Sequence, residues 1–205
     1  MPITEKINLF KELKNDYQQS KTPVLLTASP GRYLTITGQG APGGRAFQEA
    51  VGALYSMAFT IKMTRKAEGR GDYVVSKLEA LWWEQEGAPS ARLNPERWQW
   101  QLMIRTPDVV DHDDLGRGCR ALESRGKSEA VARVTLEELD EGLSVQLLHL
   151  GPYENEEESL ALIRKFILRQ GLQARGPHHE IYLSDPRRVP PERLKTILRQ
   201  PVAPL

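Results

Sequence analysis

One plan occurs twice in this 205-residue chain: a short strand, a glycine-containing turn and an amphipathic helix. Setting Gly38 on Gly151 pairs Leu34 with Leu147, Phe47 with Leu160, Ala50 with Ile163 and Leu54 with Ile167. The echo lies in apolar positions rather than in identities. An element that is apolar on one face must bury it against another, so the two units read as two α+β halves, each a helix on antiparallel strands. A pocket between the halves is the natural consequence, because clefts form where two units meet. The chain is expected to form one domain over residues 1–205, with approximate halves 24–126 and 127–205 and a helical extension over 1–22.

Periodicity places the elements. Ile7, Phe10, Leu13 and Tyr17 recur at steps of three and four, which predicts a helix over 4–19. A strand is expected over 32–38, a turn over 38–44, and a helix over 45–58 with Phe47, Val51, Leu54, Tyr55 and Ala58 on its stripe. Strands over 73–83 and 98–105 alternate strictly and read as a hairpin whose turn holds Gly87, Pro89, Asn94 and Pro95. Asp111 is placed to cap a helix over 111–125, in which Gly116 and Gly118 each cost up to about 1 kcal/mol relative to Ala. The second half reads as strands over 130–136 and 143–150 joined by an acidic turn. A helix over 156–170 follows, capped by Asn155 and favoured by Glu156, Glu157 and Glu158 at its positive end. A strand over 179–183 comes next, then a last helix opened by Pro190-Pro191 with Leu194, Ile197 and Leu198 inward.

Net charge is +1, so no basic surplus points to nucleic acid or to an anionic membrane. No apolar run reaches the ~20 residues that span a bilayer, and no signal peptide is seen. The single cysteine, Cys119, allows neither an internal disulfide nor a cysteine-based zinc cluster. Its place on a helix stripe marks it as core rather than nucleophile. A cytoplasmic protein without metal or cofactor is expected.

The sharpest local feature is PHHEIYLSDPRR, residues 177–188. Alternation puts His178, Glu180 and Tyr182 on one face of a strand and His179 on the other. Spacing alone favours a solvated polar face; the sharper reading is an imidazole, a carboxylate and a phenol presented side by side. The two adjacent histidines point apart and cannot share one metal ion. All four tryptophans, Trp82, Trp83, Trp98 and Trp100, fall on the predicted hairpin. Core packing accounts for some of them, and alternation separates Trp82 from Trp83. An indole beside a carboxylate, Glu84 or Glu180, suits flat cationic or electron-poor molecules, where cation–π attraction adds ~0.5–2 kcal/mol. Tyr153, after Gly151-Pro152, stands near a helix N-terminus where free N–H groups can meet a bound polar group; a plain turn fits equally well. The glycines at 38, 40 and 43 match a dinucleotide-binding spacing, but Pro42 interrupts them and no βαβ unit surrounds them.

Six stretches, taken in order, resemble the stand-alone GyrI-like small-molecule-binding proteins: YLTITGQGAPGG (33–44), FQEAVGALYSMAFTIK (47–62), LWW (81–83), WQLMIRTPD (100–108), EGLSVQLLHLGPYENE (141–156) and HHEIYLSDPRR (178–188). The resemblance implies tandem βαββ modules of the SHS2 type, related by a pseudo-two-fold axis around a central ligand cleft. It implies that Glu180, with Tyr182 beside it, meets cationic aromatic ligands as the effector-binding domains of multidrug-responsive regulators do. Trp82, Trp83, Trp100, Tyr55, Tyr153 and His178 complete the expected ligand-binding set. Some family members are hydrolases that open the cyclopropane ring of DNA-alkylating cyclopropanoids. In that case Glu180 would act as general base, its pKa raised among indoles, and Tyr182 or Tyr153 would polarise the substrate oxygen. Gyrase as a protein partner belongs to the same resemblance and has no feature of the sequence behind it. No helix-turn-helix segment precedes the module, which argues against a complete transcription regulator.

Overall fold

The computed structural model describes residues 6–84, 98–126 and 129–205. Its elements are α1 (Leu9–Glu12), β1 (Val24–Ala28), β2 (Gly31–Gln39), α2 (Arg45–Ala67), β3 (Leu78–Glu84), β4 (Trp98–Thr106), α3 (His112–Glu123), β5 (Thr135–Leu139), β6 (Gly142–Leu150), α4 (Glu156–Arg169), β7 (Leu172–Ala174), β8 (His178–Tyr182) and β9 (Lys195–Pro204). The strands form one antiparallel sheet in the order β1-β6-β9-β8-β3-β4-β2-β5, with β7 added to β9. The units β2-α2-β3-β4 and β6-α4-β8-β9 share one connectivity and meet where β3 pairs β8, Ala80 opposite Glu180 and Trp82 opposite His178. The fold is α+β.

The strands that precede the two units are exchanged. β1 runs straight into β2 yet pairs with β6, and β5 runs into β6 yet pairs with β2. In a flat sheet β1 and β2 would lie about 29 Å apart, at ~4.8 Å per strand. The link from Ala28 to Gly31 reaches at most about 11 Å. The sheet therefore curls until its ends approach, and it has a helix-covered outer face and a closed inner face. On the outer face α2 packs over β2 and β4, and α4 over β6, β7 and β9. The central strands β3 and β8 form a seam between the two helices.

The inner face carries ionised groups. His179, fully buried, stands with Nε2 3.0 Å from Glu79 and Nδ1 3.0 Å from Glu141. Arg199 donates to Glu141 at 2.7 Å and to Gln146 at 2.8 Å, Arg105 to Asp16 at 2.8 Å, and Tyr17 to Glu79 at 3.2 Å. Three carboxylates face three cations, so each buried charge has a partner, as burial requires.

Several expectations are corrected. The first helix shrinks to one turn, α1, because its flanks serve tertiary contacts: Ile7 bridges to Tyr73, and Asp16 accepts from Ser29 and Arg105. α2 runs nine residues beyond the predicted end. Residues 73–77 precede the strand rather than belong to it, and a 3-10 turn, Glu129–Arg133, stands where a strand was expected. The last helix is absent. Pro191–Arg193 makes one 3-10 turn and β9 follows, buried from Thr196 to Val202 on both faces. Leu194, Ile197 and Leu198 fit a helix stripe, but so short an apolar set does not separate helix from strand. Asn155 makes no side-chain cap; the 3-10 turn Tyr153–Asn155 leads into α4 instead. Asp111 does cap α3, in a reciprocal capping box with Asp114. The predicted turn at 87–95 lies outside the described residues.

Candidate functional site

The seam collects aromatic and acidic side chains because three local rules converge there. Alternation on β8 turns His178, Glu180 and Tyr182 to the outer face, beside Ala80 and Trp82 of β3. Pairing of β3 with β4 sets Trp82 against Trp100, with Trp98 one step on. The turn after β6 brings Tyr153 over β8, its ring edge-on to Tyr182 at 5.9 Å. Glu180 is 8% exposed. The Tyr182 hydroxyl donates to its carboxylate at 2.8 Å and accepts from the Trp82 indole N–H at 3.2 Å. His178 Nε2 stands 3.5 Å from the other carboxylate oxygen.

The charge of Glu180 shapes its neighbours. Burial, then the Glu180 carboxylate, push the Tyr182 phenol well above its ordinary range. Burial, with Glu156 and Glu180, pushes Tyr153 up to about 12. Both phenols therefore stay protonated and act as O–H donors at neutral pH. On the opposite flank Phe47 of α2 stacks on Trp82 at 5.8 Å and 13° between planes, and Trp98 meets Trp82 edge-on at 5.7 Å. What the arrangement offers is a buried carboxylate, two phenol donors and indole surface within one cluster.

The expected residues separate into groups. Trp82, His178, Glu180, Tyr182 and Tyr153 are brought together. Trp100 lies one layer deeper, 1% exposed, its ring over Gly38 and its edge toward Phe47 at 5.6 Å. A β-carbon at Gly38 would fall 2.1 Å from that ring, so the glycine is what lets Trp100 lie flat. Trp83 faces away from Glu180, packing with Tyr33, Leu81 and Met103. Trp82 is the indole of β3 that faces the seam. Tyr55 sits farther along α2, stacked on Phe59 at 6.2 Å and within reach of Leu78 and Asp185. The side chain of Glu84 lies outside the described residues. His149 is structural: its ring nitrogens meet Ser159 Oγ at 2.9 Å and the Pro152 carbonyl at 3.1 Å.

Phe47, Trp98 and Glu156 were not expected at the site. Glu156 is 1% exposed, although it opens α4 in a run of three glutamates. Helical period carries the signal, since Glu156 falls on the stripe of Leu160, Ile163 and Ile167 while Glu157 and Glu158 do not. Among the described residues no group of three or more histidine, cysteine, aspartate or glutamate side chains could hold a metal ion, and no helix is long and apolar enough to cross a membrane.

Comparison with known proteins bears on this cluster. Residues 21–203 match the GyrI-like small molecule binding domain. An uncharacterized conserved protein from Listeria innocua is 35% identical with a TM-score of 0.90, covering 97% of this chain and 100% of that one. A hydrolase from Listeria innocua is 34% identical over the same shares, with a TM-score of 0.86. The EcmrR C-terminal domain, 10% identical with a TM-score of 0.56 over 90% of this chain and 98% of its own, shares the fold alone. No curated protein matches the chain.

Proposed function

The chain belongs to the GyrI-like small-molecule-binding family, and from that premise we propose that its seam takes a flat aromatic molecule, cationic or electron-poor, for sequestration or sensing in the cytoplasm. The observation that carries this reading is Glu180, nine-tenths buried beside Trp82, Tyr153 and Tyr182. A buried carboxylate is costly unless something positive or hydrogen-bonding meets it. Tyr182 donates to it, and a bound cation would add a charge complement while its ring lies on indole and phenol faces. The test is titration with a flat aromatic cation, 10-methylacridinium. Glu180→Gln and Trp82→Ala are each expected to weaken binding by about tenfold, on the scale of one charge pair or one cation–π contact. Unchanged affinity in both removes the reading.

A second reading, hydrolysis of a cyclopropanoid electrophile, is favoured by two observations. One is the 34% identical hydrolase; the other is the hydrogen bond from Tyr182 to Glu180. Glu180 would take a proton from water as its oxygen bonds to a cyclopropane carbon; the ring C–C bond breaks, its electron pair passes to the conjugated substrate oxygen, where a phenol would stabilise it, and the proton returns to that oxygen. Mass spectrometry of a cyclopropanoid alkylator incubated with the protein tests this. Repeated turnover to a product heavier by one water, lost in Glu180→Gln, supports it; stoichiometric binding without product rules it out.

A further inference from the structure

The buried histidines differ in their surroundings. His149 has a partner at each ring nitrogen, and His179 is held between two carboxylates. His178 is 8% exposed, and among the described residues neither of its ring nitrogens has a hydrogen-bond partner. Buried polar groups are almost always paired, so an orphaned imidazole calls for an explanation. This one lies on the seam side of β8, directly across from Trp82 and two residues from Glu180. Its Nε2 is 3.5 Å from Glu180 Oε1, beyond a good hydrogen bond but within electrostatic reach. With the ring proton on Nε2, toward that carboxylate, Nδ1 would present a bare lone pair.

We propose that His178 is a specificity-determining residue whose Nδ1 accepts a hydrogen bond from an N–H of the bound molecule, so that the seam selects flat aromatic cations bearing N–H groups over fully alkylated ones. This rests on the reading of the seam as a ligand site and adds the ligand's class: amino-substituted or amidine-like heteroaromatic cations. Glu180 supplies the charge complement and His178 the second acceptor. Two acceptors on one strand face match a cation that spreads its charge over several N–H donors. A quaternary cation satisfies the carboxylate but leaves the imidazole unpaired, and a site built around a polar group rejects ligands that leave it so.

Two probes of equal charge and nearly equal shape test this, 9-aminoacridine and 10-methylacridinium, titrated against purified protein by calorimetry. Wild type is expected to bind the amino compound about tenfold more tightly, the scale of one buried hydrogen bond. His178→Phe is expected to abolish the preference by weakening 9-aminoacridine alone. His178→Asn, whose amide oxygen replaces Nδ1, is expected to restore it. Equal wild-type affinities, or a His178→Phe loss shared equally by both probes, overturn the proposal without any other variant. Glu180→Gln separates the two levels of the argument. If it weakens both probes while His178→Phe changes neither, the ligand site stands and the role of His178 falls. If it weakens neither, the site itself falls.

Discussion

At the scale of single residues the site turns on side-chain direction. Trp82 and Trp83 are neighbours in sequence and stand on opposite faces of β3, one stacked with Phe47 beside the acidic cluster, the other against Tyr33 and Met103. Trp83→Ala is therefore expected to cost stability, about 1–3 kcal/mol for a partly buried aromatic, and to leave the affinity of folded protein for 10-methylacridinium within about twofold. Trp82→Ala is expected to weaken that affinity instead. Denaturant unfolding and calorimetry on the two variants check the contrast, which fails if both lose affinity alike. That the two indoles point apart is legible in the sequence, because strand alternation is strict; which of them faces the acidic cluster is not. His178, Glu180 and Tyr182 share a face as that rule expects. The missing partners of His178 were not legible, since spacing says which way a ring points and nothing of what it meets.

At the scale of elements, glycine shows how packing overrides propensity. Both glycines of α3 read as weak points of a helix. In the fold a β-carbon on Gly118 would stand 2.6 Å from the Met57 sulfur and 3.2 Å from an Ile61 carbon, so Gly118 is what allows α3 to approach α2. At Gly116 the nearest contact would be an ordinary 3.5 Å, to the Arg120 guanidinium. Gly118→Ala is expected to destabilise by about 1–3 kcal/mol through overpacking. Gly116→Ala is expected to stabilise by about 0.5–1 kcal/mol through helix propensity. Thermal melts of the pair decide it, and a shift of the same sign in both contradicts the packing argument. The same override explains the miss at the C-terminus. Leu194, Ile197 and Leu198 suit a helix stripe, but the groove between β6 and β8 needs a strand buried on both faces, and β9 fills it. The exchange of β1 and β5 was also invisible, because pairing between elements far apart in sequence leaves no local pattern.

At the scale of the whole molecule, the inner network joins what the seam divides. Glu79 of β3 and Glu141, between β5 and β6, grip His179 of β8 from either side, so one imidazolium ties the two units together. Burial alone would disfavour the charged ring, but Glu141 and Glu79 outweigh it and lift His179 to about 9. Glu141 would be raised by burial, and His179 and Arg199 bring it down to about 2. A raised histidine stabilises fully below its unfolded value of about 6.5, and the contribution is lost as pH rises through 9. A lowered carboxylate contributes above its unfolded value of about 4.3 and loses its contribution as pH falls through 2. The network is thus complete between roughly pH 4.5 and 6.5. His179→Gln is expected to cost about 3–5 kcal/mol near pH 6, because among the described residues it leaves buried Glu79 with no cation beside it and Glu141 with Arg199 alone. The deficit against wild type should narrow as pH passes 9; a constant gap from pH 6 to 10 refutes the charged assignment. Such a lock fixes the register of β8, whose other face presents Glu180.

The most direct measurement of the central claim is a crystal structure of the chain with 10-methylacridinium bound. The account expects the acridinium ring against Trp82, with its charged centre within about 6 Å of the aromatic face and next to the Glu180 carboxylate. An acridinium found away from the seam and from Glu180 contradicts it.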